Sequence, residues 1–266
     1  MFYKSSLSGR ASANDELQAI SAKATLILVL IGLFSPASAA EWDRAQVEKA
    51  LSKASQTSPA NFINQDLTGL DLSGVDFKGA KMRSVTLKES DLSGADLSGA
   101  LLDLAIAPAA NLVAANLHGA SMFSVVMTGA NLSDADLSDA RIIGDLNEAN
   151  LQGADLSGAR AAVDMRNQSM GLMNARFEQA NLRDANLAGA DLGRVSLRFA
   201  DLNGANLRGV NLMKADLSGA DFTGADLTHA NLSGATVISA IFKSVKGRDT
   251  IKGLASVEGA DQAVGL

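Results

Sequence analysis

Carboxylates are the residues in this sequence best placed to do chemistry. Asp91, Asp96, Asp191, Asp201, Asp216, Asp221 and Asp226 stand at intervals of five or multiples of five, and neighbouring carboxylates can serve acid–base catalysis or hold a hard cation. Each, however, directly precedes a Leu or Phe, so the spacing reads as repeat punctuation rather than a catalytic dyad. The two histidines, His118 and His229, are far apart in sequence, and both fall at outward repeat positions, which argues against a metal or catalytic pair. There is no cysteine, so neither a thiolate metal site nor a disulfide framework can form. No GxxxxGK[ST] phosphate loop and no GxSxG nucleophile elbow occurs. The sequence therefore predicts no catalytic, cofactor-binding or metal-ligating residues, no small-molecule substrate and no enzyme. A formal charge of −6 argues against nucleic acid as a partner.

The elements that space these residues follow from a second pattern. From Phe62 to Phe242 a large apolar residue recurs every five positions, as in Leu182, Leu187, Leu192 and Leu197. Two residues before each centre stands Ala, or less often Val. The residue just before it is usually Asp or Asn, and Gly often lies two after it. A period of five fits neither the 3.6 of a helix nor the alternation of a long strand. It demands short extended pieces joined by regular turns, whose dihedrals Asp, Asn and Gly tolerate. The small partner position keeps a narrow core from overfilling.

The segments ANLRDANLAGADL (180–192) and ADLNGANLRGVNLMKADLSGADFTGADLTHANLSGA (200–235) resemble the pentapeptide-repeat family. The resemblance implies an all-β solenoid: a right-handed quadrilateral β-helix with four pentapeptides per coil, about nine coils and a short N-terminal capping helix. It also implies an alternative role, because some members are DNA mimics that bind and protect a type II topoisomerase, DNA gyrase. That role calls for a cytoplasmic address, an acidic surface and a strongly apolar C-terminal dimer element.

Four sequence regions are expected: a signal peptide at 1–40, a capping helix at 41–58, the repeat at 59–244, and a C-terminal cap or tail at 245–266. The apolar run Ala24–Phe34 is too short for a bilayer core that needs roughly twenty residues. It suits the h-region of a secretory signal, with Ala37-Ser38-Ala39 or Ser38-Ala39-Ala40 as a small-residue cleavage site. An uncleaved anchor and a disordered tail are the alternatives. The expected address is exported, periplasmic or secreted, or the thylakoid lumen in a cyanobacterial cell.

Departures from the repeat have their own period. Irregular stretches begin at Lys81, Leu101, Ser121, Arg141 and Ala161, twenty residues apart, so they should stack along two adjoining sides. One residue is lost between Ile142 and Leu146 and one regained between Ala161 and Leu172, for no net shift. At outward positions this strip carries Leu101, Ile106, Phe123, Val126 and Ile143, flanked by Lys81, Arg83, Lys88, Glu89, Asp103, Arg141, Asp164 and Arg166. An exposed apolar stripe usually marks an interaction site, and the expected occupant is an unidentified protein or envelope component. Packing under a loop, or neutral change, would also explain it. A weakly capped C-terminus leaves end-to-end pairing into a homodimer open.

Overall fold

The computed structural model describes residues 42–55, 57–162 and 174–266. The expected signal peptide, Asp164, Arg166 and Leu172 lie outside the described residues.

Each pentapeptide makes one short side of a coil. Its inward centre donates its N–H to the coil ahead, as Leu92 does to the Asn111 carbonyl at 2.7 Å, and the preceding residue donates backwards, as Asp91 does to the Leu70 carbonyl at 2.9 Å. A turn bond closes the side, from Ala95 N–H to the Leu92 carbonyl at 3.0 Å. Between coils the backbone is thus satisfied without long strands. The centres and the small residues two before them, such as Leu92 and Ala95, are fully buried. The Asp or Asn before the centre accepts the amide two residues on, as Asp91 Oδ1 does from Ser93 at 2.9 Å. That bond stabilises the turn locally.

Parallel bridges assemble the sides into four ladders. The first side runs Asn61, Lys81, Leu101, Ser121, Arg141, Arg160, Asp191, Asn211, Asn231 and Lys252. The second runs through Asp66, Thr86, Ile106 and Val126, the third through Asp71, Asp91 and Asn111, and the fourth through Asp76, Asp96 and Asn116. Two stretches are regular enough to be strands: β1 (Ser121–Val126) and β2 (Arg141–Asp145), paired in parallel with a bulge between Phe123 and Val125.

The circuit length is not constant: the expected loss of one residue is present, but one circuit is far longer than twenty, which corrects the expectation of four pentapeptides in every coil. Twenty residues separate rungs from Asn61↔Lys81 to Asn116↔Asp136, and nineteen separate Asn131 from Asn150. From Asp145↔Arg176 to Arg160↔Asp191 the separation is 31, an excess of eleven over the usual twenty. Arg160 on the first side is followed by Arg176 on the second, with no rung of the other two sides between them among the described residues. Residues beyond this point lie two sides away from where a count of twenty puts them: Asn181 continues the third ladder, not the first.

The ladders also continue past residue 244, through Lys246, Lys252, Glu258 and Val264. These rungs are six residues apart, and each is followed by a glycine with left-handed φ, from Gly247 (70°) to Gly265 (82°). Single 3₁₀ turns, Arg248–Thr250, Leu254–Ser256 and Ala260–Gln262, fill the wider corners. What the sequence presents as a tail is a hexapeptide coil that lays Ile251, Leu254 and Val257 against the core.

Before the first coil, helix α1 (Arg44–Leu51) starts at a capping box: Gln46 N–H donates to Asp43 Oδ1 at 2.7 Å, and Asp43 N–H to Gln46 Oε1 at 2.9 Å. Its Val47 is buried in the solenoid core. Trp42 packs edge-on to Phe62, centroids 5.4 Å apart, and its indole N–H donates to Gln65 Oε1 at 2.7 Å. Phe62 in turn meets Phe77, and Phe222 stacks on Phe242 at 4.9 Å, so aromatic volume is concentrated in the coils near each end.

Candidate functional site

The first and second sides of the early coils depart from the Asp/Asn pattern, and their ladders bring most of the strip residues together. Lys81, Leu101, Ser121 and Arg141 are consecutive rungs of the first side; Ile106 and Val126 are consecutive rungs of the second. Leu101 is 45 % exposed, Ile106 46 % and Val126 37 %. Lys81 and Arg83 are exposed at the lower end. Phe123 is half-buried, because the Arg141 guanidinium lies 4.8 Å over its ring, a cation–π contact that fixes both groups.

Ile143 does not belong to the strip. It is only 2 % exposed, which overturns its expected outward placement. The circuit here is one residue short, and the bulge opposite β2 removes the turn that elsewhere presents this position to solvent. Gly144 makes the shortening feasible: a Cβ there would lie 2.2 Å from the Val125 carbonyl oxygen.

The flanking charges are unequal. Asp103 is engaged internally, accepting from Ser121 Oγ at 2.7 Å and Phe123 N–H at 3.0 Å. Lys88 pairs with Glu89 at 3.4 Å, and Arg176 pairs with Asp145. The second side shows how apolar matter has moved outward: Ala107 occupies the buried centre while its neighbour Ile106 faces solvent. A leucine-sized centre would add core burial, so the exposed isoleucine is not explained by packing.

Among the described residues five further exposed apolar residues lie outside the expected strip: Leu104, Phe199, Met213, Ile238 and Val264. Leu104 extends the strip at its corner. Phe199, 59 % exposed, lies on Gly219 of the next coil, and Met213 and Ile238 sit on the first and second sides of the later coils. A bulky residue two places after a centre, where glycine predominates, was the available signal for Leu104 and Phe199.

Other groups offer little chemistry. His118 Nδ1 lies 2.9 Å from Ser138 Oγ, which donates to Asp136, so the hydroxyl is engaged by a carboxylate rather than activated as a nucleophile. His229 donates its backbone N–H to Thr250 Oγ1. A cleft of roughly 470 Å³ opens beside α1, lined by Leu51, Ala54, Pro59, Ala60 and Lys78 among others. Among the described residues no helix is long and apolar enough to cross a membrane.

The family profile described as pentapeptide repeats matches residues 60–94, 109–139, 145–161, 172–209 and 205–243. No curated protein matches. Among solved structures, HetL, a pentapeptide repeat protein involved in heterocyst differentiation regulation from the cyanobacterium Nostoc sp. strain PCC 7120, is 31 % identical, with 77 % of this chain and 86 % of that one covered and a TM-score of 0.43. QnrB1, a plasmid-mediated fluoroquinolone resistance protein, is 25 % identical over 70 % of this chain and 90 % of its own, with a TM-score of 0.38. A pentapeptide repeat protein from the Arabidopsis thaliana thylakoid lumen is 37 % identical over 36 % of this chain and 59 % of its own, with a TM-score of 0.31.

Proposed function

The chain belongs to the pentapeptide-repeat family, right-handed β-helix solenoids that are generally non-enzymatic structural or interaction proteins, and from that premise we propose that it is an exported scaffold engaging a protein or envelope partner through its first and second sides. About nine coils, with α1 as the N-terminal cap, complete this reading. The observation that carries it is the exposure of Leu101 on the first side and of Ile106 and Val126 on successive rungs of the second, where the third and fourth sides place Asp or Asn. Export rests on the Ala24–Phe34 run and the small residues after it.

The test is paired. N-terminal sequencing of the protein recovered from the envelope fraction should find processing near Ala39; an intact cytoplasmic product overturns export. Ile106→Asp with Val126→Asp should abolish capture of the partner while the circular dichroism melt stays unchanged; undiminished capture removes the strip from the reading. A second reading has one observation in its favour. Asp91, Asp96, Asp136 and Asp155 stand on the third and fourth sides of the early coils, a run of carboxylates of the kind a DNA mimic needs. Protection of DNA gyrase in a supercoiling assay would support it.

A further inference from the structure

Charge is segregated in the early coils, and the segregation says what the strip accepts. Between residues 80 and 162 the first side carries Lys81, Arg83, Arg141 and Arg160 against a single carboxylate, Asp103. That carboxylate is turned to its own coil contacts, accepting from Ser121 Oγ and Phe123 N–H through Oδ1. The third and fourth sides of the same coils show the reverse: their carboxylates include Asp91, Asp96, Asp136 and Asp155, and they carry no Lys or Arg. A chain with a net charge of −6 therefore keeps one cationic face, with the exposed side chain of Leu101 and the half-buried ring of Phe123 in its middle.

The order along the ladder is cation, apolar, polar, cation, cation: Lys81, Leu101, Ser121, Arg141, Arg160. Rungs lie about 4.8 Å apart, so the two cationic ends are separated by about 14–19 Å, which an extended peptide rising about 3.3 Å per residue covers in roughly four to six residues. We infer that this side binds an acidic peptide segment of a partner protein, with carboxylates at both ends of a short apolar centre. The inference rests on the interaction reading above and adds the chemistry of the occupant. Complementary charge at the ends sets orientation and association rate, while the apolar centre supplies burial. An anionic membrane is the less favoured surface. Interfacial anchoring uses protruding aromatic rings, whereas Phe123 lies beneath Arg141.

The test measures anisotropy of two labelled synthetic peptides with the full chain. One has Asp-Glu pairs flanking a Leu-Val-Ile centre, and the other has the same centre flanked by Lys-Arg pairs. The acidic peptide should bind, weaken as salt rises, and lose about tenfold or more in affinity in Lys81→Glu/Arg83→Glu or Arg160→Glu. Arg208→Glu, on the fourth side, should leave it unchanged, and melts of all variants should coincide. Equal binding of both peptides overturns the charge assignment but leaves an apolar docking strip standing. Binding of neither overturns the inference, while the capture experiment with the Ile106 and Val126 variants still judges the strip separately. Sedimentation with phosphatidylserine vesicles that depends on Lys81 and Arg83, without peptide binding, overturns it in favour of a membrane surface.

Discussion

Two residues after each inward centre the backbone turns left-handed, and that slot filters residue types. Asn64, Ser84, Leu104, Asp134 and Phe199 all occupy it with φ between 57° and 62° except Ser84 at 56°. No β-branched residue has positive φ among the described residues, as expected for side chains that clash there. Leu104 therefore sits at an unfavourable φ while remaining 37 % exposed. Leu104→Gly should leave the unfolding free energy the same or raise it by up to about 1 kcal/mol, while weakening partner capture; denaturant titration beside the capture assay checks both. Inside the coil the constraint is volume. Ala220 is fully buried, and Ala220→Leu should destabilise by about 1–3 kcal/mol. The turn carboxylates make a third residue-scale prediction. At Asp226 the Thr228 hydroxyl, outweighing burial, holds the pKa below the ordinary 3.8. At Asp201 and Asp221 burial pushes upward, yet hydrogen bonds from Asn203 and Thr223, with smaller charge effects, outweigh it. A folded pKa below the unfolded one contributes stability above about pH 4 that is lost as pH falls through the folded values. Urea midpoints should therefore drop between pH 5 and pH 3, and Asp226→Asn should remove part of that drop.

At the level of elements, the sides were legible, and their order as far as Arg160, because a period of five with Ala, Asp or Asn, and Leu at fixed offsets leaves one way to bury the apolar residues. The stacking of Ile106 and Val126, with Leu101 on the adjoining side, was legible for the same reason. Ile143 was not. One missing residue can be absorbed as a bulge or as a shifted turn, and only the close approach of Gly144 to Val125 decides between them. Gly144→Ala should cost more than about 1 kcal/mol and raise amide exchange in β1 and β2. The hexapeptide corners were overlooked because a six-residue period from Lys246 to Val264 is brief and lacks leucine centres, although Lys-Gly, Lys-Gly, Glu-Gly and Val-Gly recur in step. Ion pairs between coils follow a spacing of eighteen: Arg183 with Asp201 at 3.0 Å and Arg208 with Asp226 at 3.2 Å. Both are substantially exposed, so solvent screening leaves each a minor contributor to stability.

For the solenoid as a whole, contacts are made only between neighbouring coils, so its stability is close to a sum over coils and interfaces. Removing residues 201–220, one full circuit from the third side round to the second, should leave a cooperatively folded solenoid of lower melting temperature. Removing Asn203 alone should be worse, since it shifts the phase of the pattern and turns inward centres outward. Such a chain can also loosen from one end while the other holds. Its sole tryptophan, Trp42, packs on Phe62 beside α1, which makes its emission a private witness to that end. Heating followed by indole fluorescence and by far-ultraviolet dichroism should give two superimposed curves if the coils melt together. An earlier fluorescence transition would show unzipping from the tryptophan end, with no label added.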